Sequence, residues 1–350
     1  LSLFLGLLTP LSFSPYSIYI LALVTLACLF HLWTISGPRA AFIYGYLFGL
    51  GMFGSGVSWL HISINLFGGV NLFASVILTF LLVAFISLYP AITGYVYRRF
   101  FNHIPRSLAL LLVIPSLWTL SEWARSWIFT GFPWLNIGYS HTDTPLKGMA
   151  TVLGVYGISW LAIFTSGALT NLINGSKRQQ LKICTLIIVI WTGSGLLHQQ
   201  TWTEKSDDEL SVALVQGSIP QELKWLPEMR QPTIDLYREL SKDVLDNDLI
   251  VWPEAAIPAF YHQVGSLINE LEAITHQNGN RIMVGMPVYD PNTQEYYNSL
   301  VSIDNRVTFY FKRHLVPFGE YLPLKFLLQD LTDYLNIPVS NFSAGNDTAP

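Results

Sequence analysis

Carboxylates are nearly absent from the first 200 positions of this 350-residue chain: only Glu122 and Asp143 stand there, against nine Lys and Arg. So little charge over so long a stretch excludes an ordinary water-soluble domain, where about a quarter of the residues are charged. Cysteine is equally scarce. Cys28 and Cys184 both lie in apolar runs, which leaves no disulfide framework and no thiolate metal site. HExxH, CxxC, P-loop and GxGxxG signatures are missing, so metal, redox and nucleotide readings have no support and no cofactor is expected. The acids gather after residue 200, where 21 Asp and Glu meet ten Lys and Arg; the formal charge is −11 there and +7 before it. So acidic a polar part argues against nucleic acid as a partner.

What fills the first part is long apolar runs. A membrane-spanning helix needs about 20 mostly apolar residues. Stretches of that kind lie at 16–36, 40–60, 70–97, 107–128, 152–174 and 181–198, and the shorter 1–13 reads as the remainder of another, making about seven spans in a domain 1–200. Basic residues alternate between the connections. With the N-terminus inside, Arg39, Arg98, Arg99, Arg106, Lys177, Arg178 and Lys182 fall inside and only Arg125 and Lys147 outside. That bias places whatever follows the last span outside the cytoplasm, which for a bacterium is the periplasm. The glycines Gly45, Gly49, Gly51, Gly54 and Gly56 read as a close helix-packing face, and Pro90 as a kink. In the Trp-rich stretch 121–134, Glu122 and Arg125 stand three apart. They read either as an interfacial ion pair in an aromatic belt or as a headgroup site in which Arg125 meets a phosphate; composition leaves both open.

After the polar linker at 203–209 the periodicity changes. Buried strands are predicted at 210–217, 248–254 and 281–287, helices at 228–246 and about 264–278, and a hairpin of 297–303 with 307–314 turning on Asp304-Asn305-Arg306. Strand–helix alternation giving way to a hairpin implies an α/β domain with a mixed sheet. Glu254 ends an apolar strand, at the strand end where α/β sheets place their sites. Apolar neighbours would raise its pKa toward the range of a general base; an exposed strand-end Glu is the plain alternative. Lys312, flanked by Phe311 and other aromatics, suits oxyanion stabilisation or simple snorkelling. Glu320 alone would pass as a loop carboxylate.

The order Trp252-Pro253-Glu254, then FKRHLVPFGEYLP at 311–323, resembles the carbon–nitrogen hydrolase (nitrilase) superfamily. Joined to a polytopic first half, the chain resembles the apolipoprotein N-acyltransferase family of Gram-negative bacteria. FSPY (13–16), FGSGVSW (53–59), 122–140, LGVYG (153–157) and VQGSIPQELKW (215–225) carry that likeness through nearly the whole chain. The resemblance implies a polytopic α-helical membrane domain followed by an α/β nitrilase-like αββα sandwich at 206–350. It implies a Glu–Lys–Cys triad in which Glu254 is the base and Lys312 the lysine, with Glu320 in support. Trp225, Arg125 and Trp134 match positions of substrate handling or gating. The donor would be a membrane phospholipid, the acceptor the diacylglyceryl-cysteine amine of a lipoprotein, and the location the inner membrane with the catalytic domain in the periplasm. A membrane-tethered amidase and a non-catalytic transport or scaffold protein are the alternatives. The triad cysteine should follow Lys312 by several tens of residues, on a later strand; the chain reaches Pro350 without it, and it is expected to be part of a longer enzyme.

Overall fold

The computed structural model describes residues 1–173, 176–317, 319–322, 325 and 341–346. The chain divides into two compact units, Leu1–Leu66 with Val70–Thr203, and Phe67–Gly69 with Glu204–Pro350.

The first unit is helical: α1 (Ser2–Leu8), α2 (Ile20–Thr34), α3 (Pro38–Gly56), α4 (Leu60–Leu66), α5 (Leu72–Ile86), α6 (Leu88–Phe100), α7 (Arg106–Arg125), α8 (Ala150–Leu172) and α9 (Lys177–His198). Leu72–Phe100, Arg106–Arg125, Pro145–Leu172 and Lys177–His198 are long and apolar enough to cross a membrane, and α3 with α4 makes a fifth span if their 51° bend is taken as one. Ser2–Ser12 and Ile20–Thr34 are apolar but shorter. Helices thus lie at all seven apolar stretches, and four or five of them meet the length of a span. Two breaks have a proline cause. Pro90 has no amide hydrogen to offer the carbonyl four residues back, and the α5–α6 boundary falls at Ser87. A π-helical turn at Ala109–Val113 precedes Pro115 in α7, widening the helix where a regular bond is lost. The core is aromatic, with Phe30, Trp33 and Phe48 fully buried and Trp118 nearly so. A Cβ on Gly45 would lie 2.4 Å from the Pro90 carbonyl oxygen, so α3 approaches α6 as closely as the glycine face suggested.

The second unit carries one mixed sheet among the described residues, in the order β1 (Val212–Leu214), β2 (Leu249–Val251), β3 (Arg281–Asp290), β4 (Glu295–Ile303) and β5 (Val307–Phe311). The first three pair in parallel and the last three antiparallel. Parallel pairing follows from the helical crossovers α10 (Arg230–Lys242) and α11 (Gly265–Asn278), since parallel strands cannot be joined by a tight turn. The hairpin at Asp304–Arg306 lies where the turn residues predicted it. The β3–β4 pairing extends further, to Asp290 with Glu295. The apolar core, with Trp252, Ile257, Ile282, Val284, Met286 and Val301 at 0–1% exposure, fixes the strand faces. Phe318 and Pro323 of the 311–323 motif lie outside the described residues.

Candidate active site

Glu254 stands just past β2. Trp252, 1% exposed, extends the β2–β3 pairing by donating its amide to Met283 O at 2.8 Å, stacks on Tyr237 and donates its indole N–H to Ser241. The chain then turns sharply, with Ala255 at φ 48°, a left-handed conformation that costs a residue bearing a Cβ about 1–3 kcal/mol. Gly285 on β3 makes room for that turn: a Cβ there would lie 2.3 Å from Pro253 O and 2.7 Å from Glu254 Cα. The carboxylate is therefore presented by an anchored strand and a strained corner.

Lys312 reaches it from the other side of the sheet. The turn that pairs Ile303 with Val307 carries the register back to Asn298 opposite Lys312, whose amide donates to Asn298 O at 2.8 Å. Residues directly opposite in an antiparallel pair share a face. The Lys312 ammonium donates to Glu254 Oε1 at 3.0 Å and lies 3.0 Å from Glu320 Oε2 and 3.1 Å from its Oε1. Asn298 Nδ2 donates to Glu254 Oε1 at 2.5 Å and to Glu320 Oε1 at 2.7 Å. Glu320 is held by its own loop, accepting the Val316 amide at 2.8 Å while its amide donates to Val316 O. Lys224, at the end of the helical turn Gln221–Lys224, donates to the main-chain oxygen of Glu254 at 3.2 Å.

Two consequences follow. Both side-chain donors to Glu254 take Oε1, and among the described residues Oε2 has no hydrogen-bond partner; with the side chain 62% exposed, Oε2 is the oxygen open to an incoming proton. The charge state also differs from the expectation. Partial burial raises the Glu254 pKa, but the Lys312 and Asn298 hydrogen bonds, then the Lys312 and Lys224 charges, outweigh it and hold the carboxyl below its ordinary value. The apolar sequence neighbours of Glu254 predicted the opposite; they lie along the strand, whereas the groups that set its pKa arrive from distant segments. Burial likewise lowers Lys312, yet its bonds to Glu254 and Glu320 raise it above the usual lysine value, so it stays a cation. Among the described residues no group of three His, Cys, Asp or Glu is placed to hold a metal.

The sequence singled out Glu254, Lys312 and Glu320, and these converge. Trp225, half exposed, directly follows Lys224. Asn298 and Lys224 went unnoticed. The hairpin register alone could have flagged Asn298, a polar residue opposite Lys312 in an otherwise alternating strand; nothing local marks Lys224.

Arg125 and Trp134 lie in the helical unit, where Arg125 is 3% exposed. Its guanidinium donates to Phe132 O, Trp134 O and Asn136 Oδ1 and lies 5.0 Å from the Phe53 ring centre. The loop it clasps is strained, with Phe129, Thr130, Gly131 and Leu135 all at positive φ. Trp134, half exposed, stacks on Phe132 and packs near Trp59. Glu122 takes other partners, accepting the Ile137 amide at 2.8 Å and the Trp118 indole N–H at 3.0 Å.

Residues 5–168 match the family of apolipoprotein N-acyltransferase N-terminal domains, and residues 211–343 match the carbon–nitrogen hydrolase family. The chain is 42% identical over 343 residues to an apolipoprotein N-acyltransferase of Methylococcus capsulatus, an alignment covering 97% of this chain and 68% of that protein. It is 38% identical to the one from Vibrio cholerae, over 99% of this chain and 70% of the relative. With the one from Coxiella burnetii it shares 37% identity, over 99% and 71%. A set of apolar helices, four or five of them long enough to cross a membrane, followed by a domain with a mixed sheet is consistent with both matches, and the chain belongs to the apolipoprotein N-acyltransferase family.

Proposed function

We propose that this protein transfers a fatty acyl chain from a membrane phospholipid to the N-terminal amine of diacylglyceryl-cysteine on apolipoproteins, through a cysteine thioester. The observation that carries the reading is the convergence of Glu254, Lys312 and Glu320, with Oε2 of Glu254 left open. In the first half-reaction Glu254 Oε2 takes the thiol proton and the thiolate attacks the ester carbonyl. The C–S bond forms, Lys312 faces the tetrahedral oxyanion, and the C–O bond breaks as the lysophospholipid alcohol takes the proton back. In the second, the α-amine attacks the thioester, its proton passes to Glu254, the C–N bond forms as the C–S bond breaks, and the departing thiolate takes that proton back from Glu254. Glu320 and Asn298 hold the lysine and the carboxylate in register.

The nucleophile in this reading is a cysteine outside residues 1–350. Cys28 on α2 and Cys184 on α9 are exposed on helices of the apolar unit, surroundings in lipid that disfavour a thiolate. About seven spans in residues 1–200, an inner-membrane location and a periplasmic domain at 206–350 complete the proposal, resting on the loop-charge bias. Trp225 and the Trp134 loop are the proposed substrate contacts, Arg125 holding that loop in place.

Full-length protein incubated with phospholipid is expected to gain the mass of one acyl group, released by a diacylglyceryl-cysteine peptide. Glu254→Gln should abolish the adduct and Cys28→Ser with Cys184→Ser should keep it. A normal adduct in Glu254→Gln, or its loss in the double serine variant, would remove this mechanism; release by water alone at the same rate would make the protein a hydrolase.

A further inference from the structure

Residues 220–228, which follow β1, invert the usual order of burial. Leu223, Trp225 and Leu226 are exposed, whereas Lys224, a residue type that ordinarily stays in water, is the one member of the segment that is not. The main-chain hydrogen bonds of the stretch are local: Leu223 and Lys224 donate to Pro220 O, and Leu226 to Leu223 O. Among the described residues, the one hydrogen bond that ties the segment to another element runs from Lys224 Nζ to Glu254 O, at 3.2 Å.

The carbonyl at the far end of that bond is an unusual one. Residues 253–256 form a turn closed by the Ala256 amide on Pro253 O at 3.1 Å, and of the four only Ala255 has positive φ, at 48°. That is the pattern of a type II turn, whose third position normally takes Gly or Asn. Type I and type II turns differ in which way the central peptide faces, since ψ of the second residue and φ of the third change together. Here the central peptide joins Glu254 to Ala255. Turning it over would return Ala255 to negative φ and relieve the corner, and it would swing Glu254 O away from Lys224. Among the described residues that oxygen has no other donor. The lysine therefore opposes the relaxation that the alanine favours.

We propose that Lys224 is a positioning residue for the base: it holds the central peptide of the 253–256 turn in its strained orientation, and so keeps Glu254 aimed while the segment bearing Trp225 lies against the corner. The inference rests on the acyl-transfer reading of Glu254 and adds a coupling to it. Substrate contact at Trp225 and alignment of the base share the helical turn Gln221–Lys224 and its next residue. Lys224 need touch no substrate for this, because a misplacement of about 1 Å at a reacting group can cost about 100-fold in rate.

The test uses full-length enzyme and a fluorescent phospholipid, with thermal unfolding measured alongside. Lys224→Met should lower kcat about 10- to 100-fold with KM nearly unchanged. Lys224→Arg, which keeps a cationic donor of similar reach, should recover most of the rate. Ala255→Gly is the sharper probe, because glycine adopts positive φ without penalty and needs no lysine to hold the turn. Added to Lys224→Met, it should raise kcat about fivefold or more. An unchanged kcat in Lys224→Met, a loss confined to KM, or a double variant no faster than Lys224→Met overturns the proposal. If Lys224→Met fails to fold, Lys224→Gln, whose side chain falls short of the carbonyl, takes its place with the same readings. Unfolding gives the cycle without any acyl transfer. Ala255→Gly should raise the unfolding temperature of the parent, where it relieves strain. In Lys224→Met, whose turn has already relaxed, it should lower that temperature through chain entropy. Equal shifts in the two backgrounds overturn the proposal; a parent that forms no acyl adduct overturns the acyl-transfer reading instead, and the unfolding cycle still decides the role of Lys224.

Discussion

The two units use charge in opposite ways. In the helical unit, Arg125 and Glu122 are buried at 3% exposure; main-chain and side-chain oxygens hold Arg125, while Oε2 of Glu122 is enclosed without a hydrogen-bond partner among the described residues. In the sheet unit, Glu254 and Lys312 are partly exposed, held by each other, Glu320 and Asn298, and among the described residues Oε2 of Glu254 has no hydrogen-bond partner. Residue type does not separate the two cases, since both are a Glu and a cation: Glu122 and Arg125 stand three apart on α7, and Glu254 and Lys312 follow β2 and β5. What separates them is whether the spare carboxylate oxygen can be reached: Glu122 is 3% exposed and the Glu254 side chain 62%. An enclosed charge that holds the carbonyls of a loop is a clasp; a charge at an open surface, with an oxygen to spare, can exchange a proton.

The largest expected effect tests the sheet unit. Lys312→Met in the full-length enzyme should cut the rate of acyl-enzyme formation by about 10²–10³, the usual loss for one oxyanion donor, with little change in thermal unfolding, because partly exposed ion pairs contribute little stability. A large drop in unfolding temperature with the rate preserved would make Lys312 a clasp too. The helical unit should answer the other way. Arg125→Gln leaves the carbonyls of Phe132 and Trp134 without their donor in a strained loop, at a cost of about 3 kcal/mol, so unfolding should move first and transfer should fall as a consequence. If unfolding is unchanged while phospholipid-dependent acylation disappears, Arg125 contacts a headgroup directly and the contrast between the units collapses.

How much of this was legible in the sequence depended on range. Periodicity and turn residues are local, so the seven helical stretches, the α/β alternation and the Asp304–Arg306 hairpin could be read directly. The exposed end of an apolar strand marked Glu254, and family likeness added Lys312 and Glu320. The burial of Arg125 could not be read, because its acceptors are carbonyls, which any sequence supplies. Nor could the direction of the Glu254 pKa, which depends on Asn298 and Lys312, 44 and 58 residues away.

Asn298 offers the finest test of that electrostatic reading, because it carries no charge. Its amide donates to Glu254 Oε1 and Glu320 Oε1 at once, and at Glu254 this favours the ionised carboxylate. In Asn298→Ala, Glu254 loses that donor while keeping Lys312, so its pKa should rise from its depressed value toward the ordinary 4.5. A group with a depressed folded pKa stabilises the fold above its unfolded pKa and loses that contribution as pH falls through the folded value. The variant should therefore lose less stability than the parent on acidification, by a small margin because the Glu254 side chain is 62% exposed. Catalysis moves in the same sense: fewer molecules carry an ionised base at low pH, so the acid limb of kcat/KM should shift upward and the plateau fall by at most about tenfold. Asn298→Asp, which sets a third carboxylate against Glu254, should move the limb further in the same direction. Full-length enzyme assayed across pH 4–8 with a fluorescent phospholipid supplies the profiles. An unmoved limb in both variants would mean that Lys312 alone sets the charge of the base, and that Asn298 serves the strand pairing only.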